Sequence, residues 1–290
     1  MKFLKKLSCA AAVALSMAGA AHAEDVLQNW VFNPVGGGYS SGQTIGEYLD
    51  VNGNAFIQLA NNGNNTFNFQ ENAVFNIVQA DSNGQLFPVN YPGGNITATF
   101  AATGTGTFNG QFQFNGGTIN IYQDTAANYG STAGIYGAND GKLIASFDVL
   151  VGGGGNVDAS GNPISNGQVT VFAKAKAGDL ESGYFFRSNG QDLSSEDILA
   201  FAFTNANGQT NFTSPANANL VSEVACQFGG YTGAGCTDGT TYANVPGQNF
   251  FVSNNGQFKL AEVPEPGSLA LFGIAMLGAG VAARKRNKKA

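Results

Sequence analysis

The sequence is poor in the groups that most enzymes use. Its one histidine, His22, lies in the first 23 residues, so the rest of the chain has no imidazole. That excludes Ser-His-Asp and Cys-His catalysis, and zinc sites with imidazole ligands. Charge is scarce as well: Asp, Glu, Lys and Arg make up 11% of the chain. Between residues 24 and 266 the basic residues are Lys142, Lys174, Lys176, Arg187 and Lys259, five against nineteen acids, a net charge of −14 where the whole chain carries −6. A body this acidic does not seek nucleic acid, which requires clustered lysine and arginine. There is no C-x-x-C, no phosphate-binding loop and no fixed-period repeat. No cofactor or metal site is expected.

Glycine, amides and phenylalanine are abundant. The 41 glycines suggest disorder, but 23 phenylalanines and 9 tyrosines require a packed core. The polar surface comes from Asn, Gln, Ser and Thr, so partners are met by uncharged hydrogen bonds. Helical periodicity is rare and alternation common. Strands are expected at 67–69, 74–78, 96–100, 108–114, 118–122, 143–151, 168–176, 199–204 and 250–260. Asn115-Gly116-Gly117, Asn139-Asp140-Gly141 and Asn254-Asn255-Gly256 read as hairpin turns. One short helix is expected at 195–199, capped by Ser194. Gly152 to Gly155 reads as a linker, or as a loop or bulge within one sheet. The fold class is all-β: an antiparallel β-sandwich or partly open barrel. Trp30 is assigned to the core. Tyr39, Tyr122, Tyr184 and Tyr231 are either core residues or sugar-stacking groups.

Candidate chemistry is thin. Gly38-Tyr39-Ser40-Ser41-Gly42 matches G-x-S-x-G, but no histidine can take the proton, so it reads as a loop. A carboxylate glycosidase would need two acids at a set separation. Glu47, Asp148, Asp179, Glu181 and Glu223 are candidates because they lie in or beside apolar runs. Asp50-Val51-Asn52-Gly53-Asn54 begins like a Ca²⁺ loop, but Ala55 and Asn61 occupy the Gly and Glu positions, so it too reads as a hairpin turn. Of three cysteines, Cys9 lies in the leader, and Cys226 with Cys236 is expected to form a disulfide.

The two ends carry addresses. Lys2, Lys5 and Lys6 precede an apolar stretch and then Ala21-His22-Ala23, a small-x-small cleavage site before Glu24. Residues 1–23 therefore read as a signal peptide for signal peptidase. The β body is assigned to 24–262. After it, Pro264-Glu265-Pro266 resists helix formation, because neither proline donates an N–H and each restrains its predecessor. Residues 267–283 carry no charge, and as a helix they would be roughly 25 Å long, just enough for a transmembrane span. The basic tail 284–290 opens with Arg284, Lys285 and Arg286, which hold that end on the cytoplasmic side.

Motif, span and basic tail, residues 263–290, together resemble the PEP-CTERM sorting signal. The resemblance implies transient insertion in the inner membrane, processing by an exosortase, and release to the cell surface or extracellular matrix. A permanent membrane anchor is the other reading of the same span. WVFNP at Trp30, IGEYLDVNG from Ile45, SGYFFRSNGQDLSS from Ser182, SEVACQFGG from Ser222 and FFVSNNGQFKL from Phe250 resemble the flocculation-associated PEP-CTERM proteins of the PepA type. This second resemblance implies a noncatalytic protein promoting flocculation or biofilm cohesion with exopolysaccharide. A carbohydrate-binding module for the cell's own exopolysaccharide is the alternative, and a carboxylate glycosidase the third reading.

Overall fold

Alternation of apolar and amide residues, sustained over more than a dozen positions, builds long strands with one greasy and one wet face. The computed structural model describes residues 25–82, 85–164, 167–209, 217–237 and 240–263. In chain order the strands are β1 (Trp30–Phe32), β2 (Gln43–Ile45), β3 (Tyr48–Gly63), β4 (Thr66–Ser82), β5 (Gln85–Pro88), β6 (Asn95–Thr107), β7 (Gln111–Asp124), β8 (Lys142–Val149), β9 (Gly152–Asn156), β10 (Gln168–Ala175), β11 (Phe185–Phe186), β12 (Ile198–Gly208) and β13 (Asn249–Glu262).

The strands form a closed antiparallel barrel. Neighbours run β13, β3, β4, β6, β7, β8, β10, β12, and β12 again borders β13. The order is a meander, each strand lying beside its predecessor, with β13 closing the ring against β3. β9 continues the β8 position: it pairs with β7 and β10 where β8 ends. Of the two expected architectures the barrel is thus the one found, and it is closed rather than partly open. Closure leaves no long edge open to another chain.

The apolar face points inward. Val51, Ile57, Phe67, Phe69, Phe100, Phe114, Ile121, Val171 and Phe258 belong to one buried cluster filling the barrel. Each such side chain contributes about 1.5–3 kcal/mol when fully buried. Space for the rings comes from glycine: a Cβ at Gly104 would lie 2.2 Å from a Phe69 ring carbon. Outer positions of β4 include the amides Asn68, Gln70 and Asn76. At one pole the small sheet β11–β1–β2 places Trp30, Phe32 and Phe185 beneath the strands, and Trp30 is fully buried there as expected. At the other pole Val157, Phe108 and Leu59 close the interior.

A second cluster sits on the outside of the wall. Phe56, Val74 and Phe251 face outward from β3, β4 and β13, and are covered by Leu220, Val221, Val224, Tyr242 and Ile135. The covering segment includes a π-helix at Val221–Phe228. Cys226 and Cys236 staple it, with Cα atoms 5.6 Å apart. Replacing both by serine is expected to lower stability by about 3 kcal/mol at most, as loop-closure entropy predicts for so short a loop. Thermal melting of the variant against the oxidised protein checks this, and dithiothreitol should reproduce the loss.

Several local expectations are corrected. Asn115-Gly116-Gly117 lies within β7, Asn254-Asn255-Gly256 within β13, and residues 50–54 within β3, so none is a turn. The helix expected at 195–199 is instead a single 3₁₀ turn at Leu193–Ser195, and β12 has begun by Ile198. Its cap is Asp192, whose carboxylate accepts from the Ser194 N–H at 2.9 Å, not Ser194 itself. Gly152 to Gly155 is not a linker or a loop but most of β9, and of the expected alternatives the bulge within one sheet fits, since its pairing with β7 shifts register between Phe112 and Phe114.

Candidate functional site

The chain enters and leaves the barrel at one place. Val26 bridges to Ala261, and the Leu27 N–H donates to the Leu260 carbonyl at 2.8 Å. The strand that leads out, β13, is anchored there by Lys259, which pairs with Glu47 and lies 5.6 Å from the Tyr48 ring centre. The signal-cleavage residues Ala21, Ala23 and Glu24, the motif Pro264, Glu265 and Pro266, and the basic residues Arg284, Lys285 and Arg286 lie outside the described residues. So does the 267–283 run. No helix among the described residues is long and apolar enough to cross a membrane.

The opposite pole carries an open depression of about 600 Å³. It crosses the far ends of β3, β4, β6, β7 and β9. Asn62, Asn68, Gln111, Gln113 and Asn156 supply amides, Thr66, Thr105 and Thr107 supply hydroxyls, and Gly153 to Gly155 form its floor at one side. No charged residue among the described ones lines it. These groups come from three hairpins and meet because β4, β6 and β7 are in register: Asn68 pairs with Thr105, and Thr105 with Gln113. β3 separates the poles. It begins at Tyr48, beside Lys259, and ends at Gly63, beside the depression. Sixteen residues of strand reach roughly 50 Å when straight, and less around a tilted barrel.

Of the acids named as hydrolytic candidates, Asp148 and Asp179 meet at Lys176, and each of the five is engaged in a contact of its own. Asp148 pairs with Lys176 and Glu181 with Lys142, both at 2.9 Å. Asp179 accepts the Lys176 backbone N–H at 2.8 Å, and Glu47 pairs with Lys259. Glu223 is buried in the π-helix, where the Ser222 hydroxyl donates to it. Ser41 of the G-x-S-x-G stretch accepts from the Asn33 amide at 2.9 Å, a structural bond within its loop. Tyr184 is buried and donates to Gln123 at 2.6 Å, whereas Tyr39 is exposed and donates to the Ser188 carbonyl.

One acid escaped the sequence reading. Glu71 alternates with Phe67, Phe69, Ala73 and Phe75 on β4, and that period of two sends it into the barrel. Its carboxyl has no hydrogen-bond partner among the described residues. Burial alone pushes its pKa up to about 7.

Residues 262–286 match the PEP-CTERM protein-sorting motif. The chain carries a PEP-CTERM sorting signal. The match begins at the last residue of β13, so the PEP-CTERM segment continues directly from the strand that closes the barrel. The signal implies an exported protein processed by exosortase at the membrane. No curated protein and no solved structure matches the chain.

Proposed function

We propose that this PEP-CTERM protein is a noncatalytic surface or matrix protein of the PepA type, promoting flocculation or biofilm cohesion by holding exopolysaccharide. The observation that carries the reading is the uncharged, amide-lined depression at the far ends of β3, β4, β6, β7 and β9. Amides and hydroxyls at strand spacing offer donors and acceptors at repeated intervals, which suits the hydroxyls of a neutral glycan chain. Their hydrogen bonds contribute about 1 kcal/mol each, so retention depends on many contacts along a polymer.

A deletion strain should lose floc or biofilm cohesion, and the wild-type gene should restore it. A gene carrying Asn68→Ala, Gln113→Ala and Asn156→Ala should restore it poorly. Full restoration by that triple variant would remove the depression from the account, and unchanged aggregation after deletion would remove the function. The alternative, a binding module for the cell's own exopolysaccharide without scaffold activity, rests on the same depression. It predicts glycan binding by the purified body, weakened roughly 10-fold or more in the triple variant, without loss of cohesion on deletion.

A further inference from the structure

The barrel interior is not wholly filled. Two cavities, of about 60 and 30 Å³, lie along its axis. Both are lined by Glu71, Val169, Thr204 and Asn254, so Glu71 stands where they meet. The remaining walls of the larger one are apolar, including Phe75, Phe100 and Phe258. Among the described residues Glu71 is the one titratable group lining either cavity. Its neighbours in register are Ile57 on β3 and Ala102 on β6, neither of which can donate to it. Asn254 is also buried, and its side chain too has no hydrogen-bond partner among the described residues.

An unpaired carboxyl among phenylalanines is expensive for a fold to retain, and a cation is what compensates it. One carboxylate with one amide and one hydroxyl is a meagre set for calcium, which takes six to eight oxygens. It suits an ammonium head, with three donors to share among Glu71, Asn254 and Thr204. We propose that the barrel interior binds a small alkylammonium ion, its head on Glu71 and its short apolar body in the larger cavity. The body must be small, because the larger cavity has a volume of only about 60 Å³. A two-carbon body fits, and a longer one requires the phenylalanines to move. The raised pKa agrees with the site, since a carboxyl near neutrality ionises readily once a cation arrives.

Ethylammonium is the probe, with ethanol as its uncharged analogue and tetrabutylammonium as a cation too large to enter. Calorimetric titration and thermal shift at pH 8 are read on the purified protein and on Glu71→Gln. That variant removes a charge without changing the packed volume, so it folds. Ethylammonium should bind the wild type roughly 10- to 100-fold more tightly than Glu71→Gln, the range of one charge-assisted hydrogen bond. Ethanol should not distinguish the two proteins. The proposal is overturned if ethylammonium fails to bind, if Glu71→Gln binds it equally, or if tetrabutylammonium binds as well, which would place the effect on the acidic surface.

Discussion

Glu71→Gln is expected to stabilise the protein by about 3 kcal/mol at pH 8 and to change it little at pH 4. The sign follows from linkage. The carboxyl titrates at about 7 in the folded barrel against an ordinary value of 4.5, because burial disfavours its charged form. Between those two values the folded state holds a proton that the unfolded state has released, so stability falls as pH rises. Below 4.5 both states are protonated and nothing is lost. Above 7 both are ionised and the loss is complete. The shift corresponds to about 3 kcal/mol at 1.36 kcal/mol per pH unit. Glutamine keeps the shape and cannot ionise, so its curve should lack this descent. Urea unfolding midpoints from pH 4 to pH 9 decide the matter. Parallel curves for the two proteins would mean that Glu71 is hydrated in the folded state.

The same residue shows how far the sequence could be read. Alternation was legible wherever apolar residues repeat every second position, and Phe67, Phe69 and Phe75 mark one face of β4 without any structure. Glu71 shares their parity and could have been placed inside by it. Asp148 also lies within an apolar run, but its side chain is on the solvent side of β8, paired with Lys176. The sorting signal was legible, because its residues lie close together along the chain. The amide depression was not, since Asn62, Gln113 and Asn156 are brought together only by the register of β4, β6 and β7 and of β9 on β7. Barrel closure was equally hidden. It depends on β12 meeting both β10 and β13, partners distant along the chain, and no local pattern chooses between that ring and two stacked sheets.

Glycine produced the plainest errors, for a physical reason. It serves tight turns and close backbone approach alike, and sequence does not separate the two uses. Asn254-Asn255-Gly256 looks like a hairpin turn but runs through the middle of β13. There Gly256 lies against β12: a Cβ would sit 2.2 Å from the Phe203 carbonyl oxygen and 2.7 Å from the Thr204 Cα. Both obstacles are backbone, so no rotamer change relieves them.

Gly256→Ala is therefore expected to destabilise the barrel by about 3 kcal/mol, the upper range for overpacking, because the β12–β13 seam must open to admit the methyl group. Gly208→Ala is the matched comparison. It lies on β12, the facing strand, but its added Cβ meets nothing within 4 Å, so its change should stay within about 0.5 kcal/mol. Denaturant unfolding of both variants measures the difference. An opened seam would also expose the backbone groups of β12 and β13, and unpaired edges recruit other chains. Light scattering of Gly256→Ala should then rise with protein concentration while that of Gly208→Ala stays flat. Equal stabilities would show that the seam yields at no cost, and the ring would then be closed by the remaining strand pairs rather than by the close approach at Gly256.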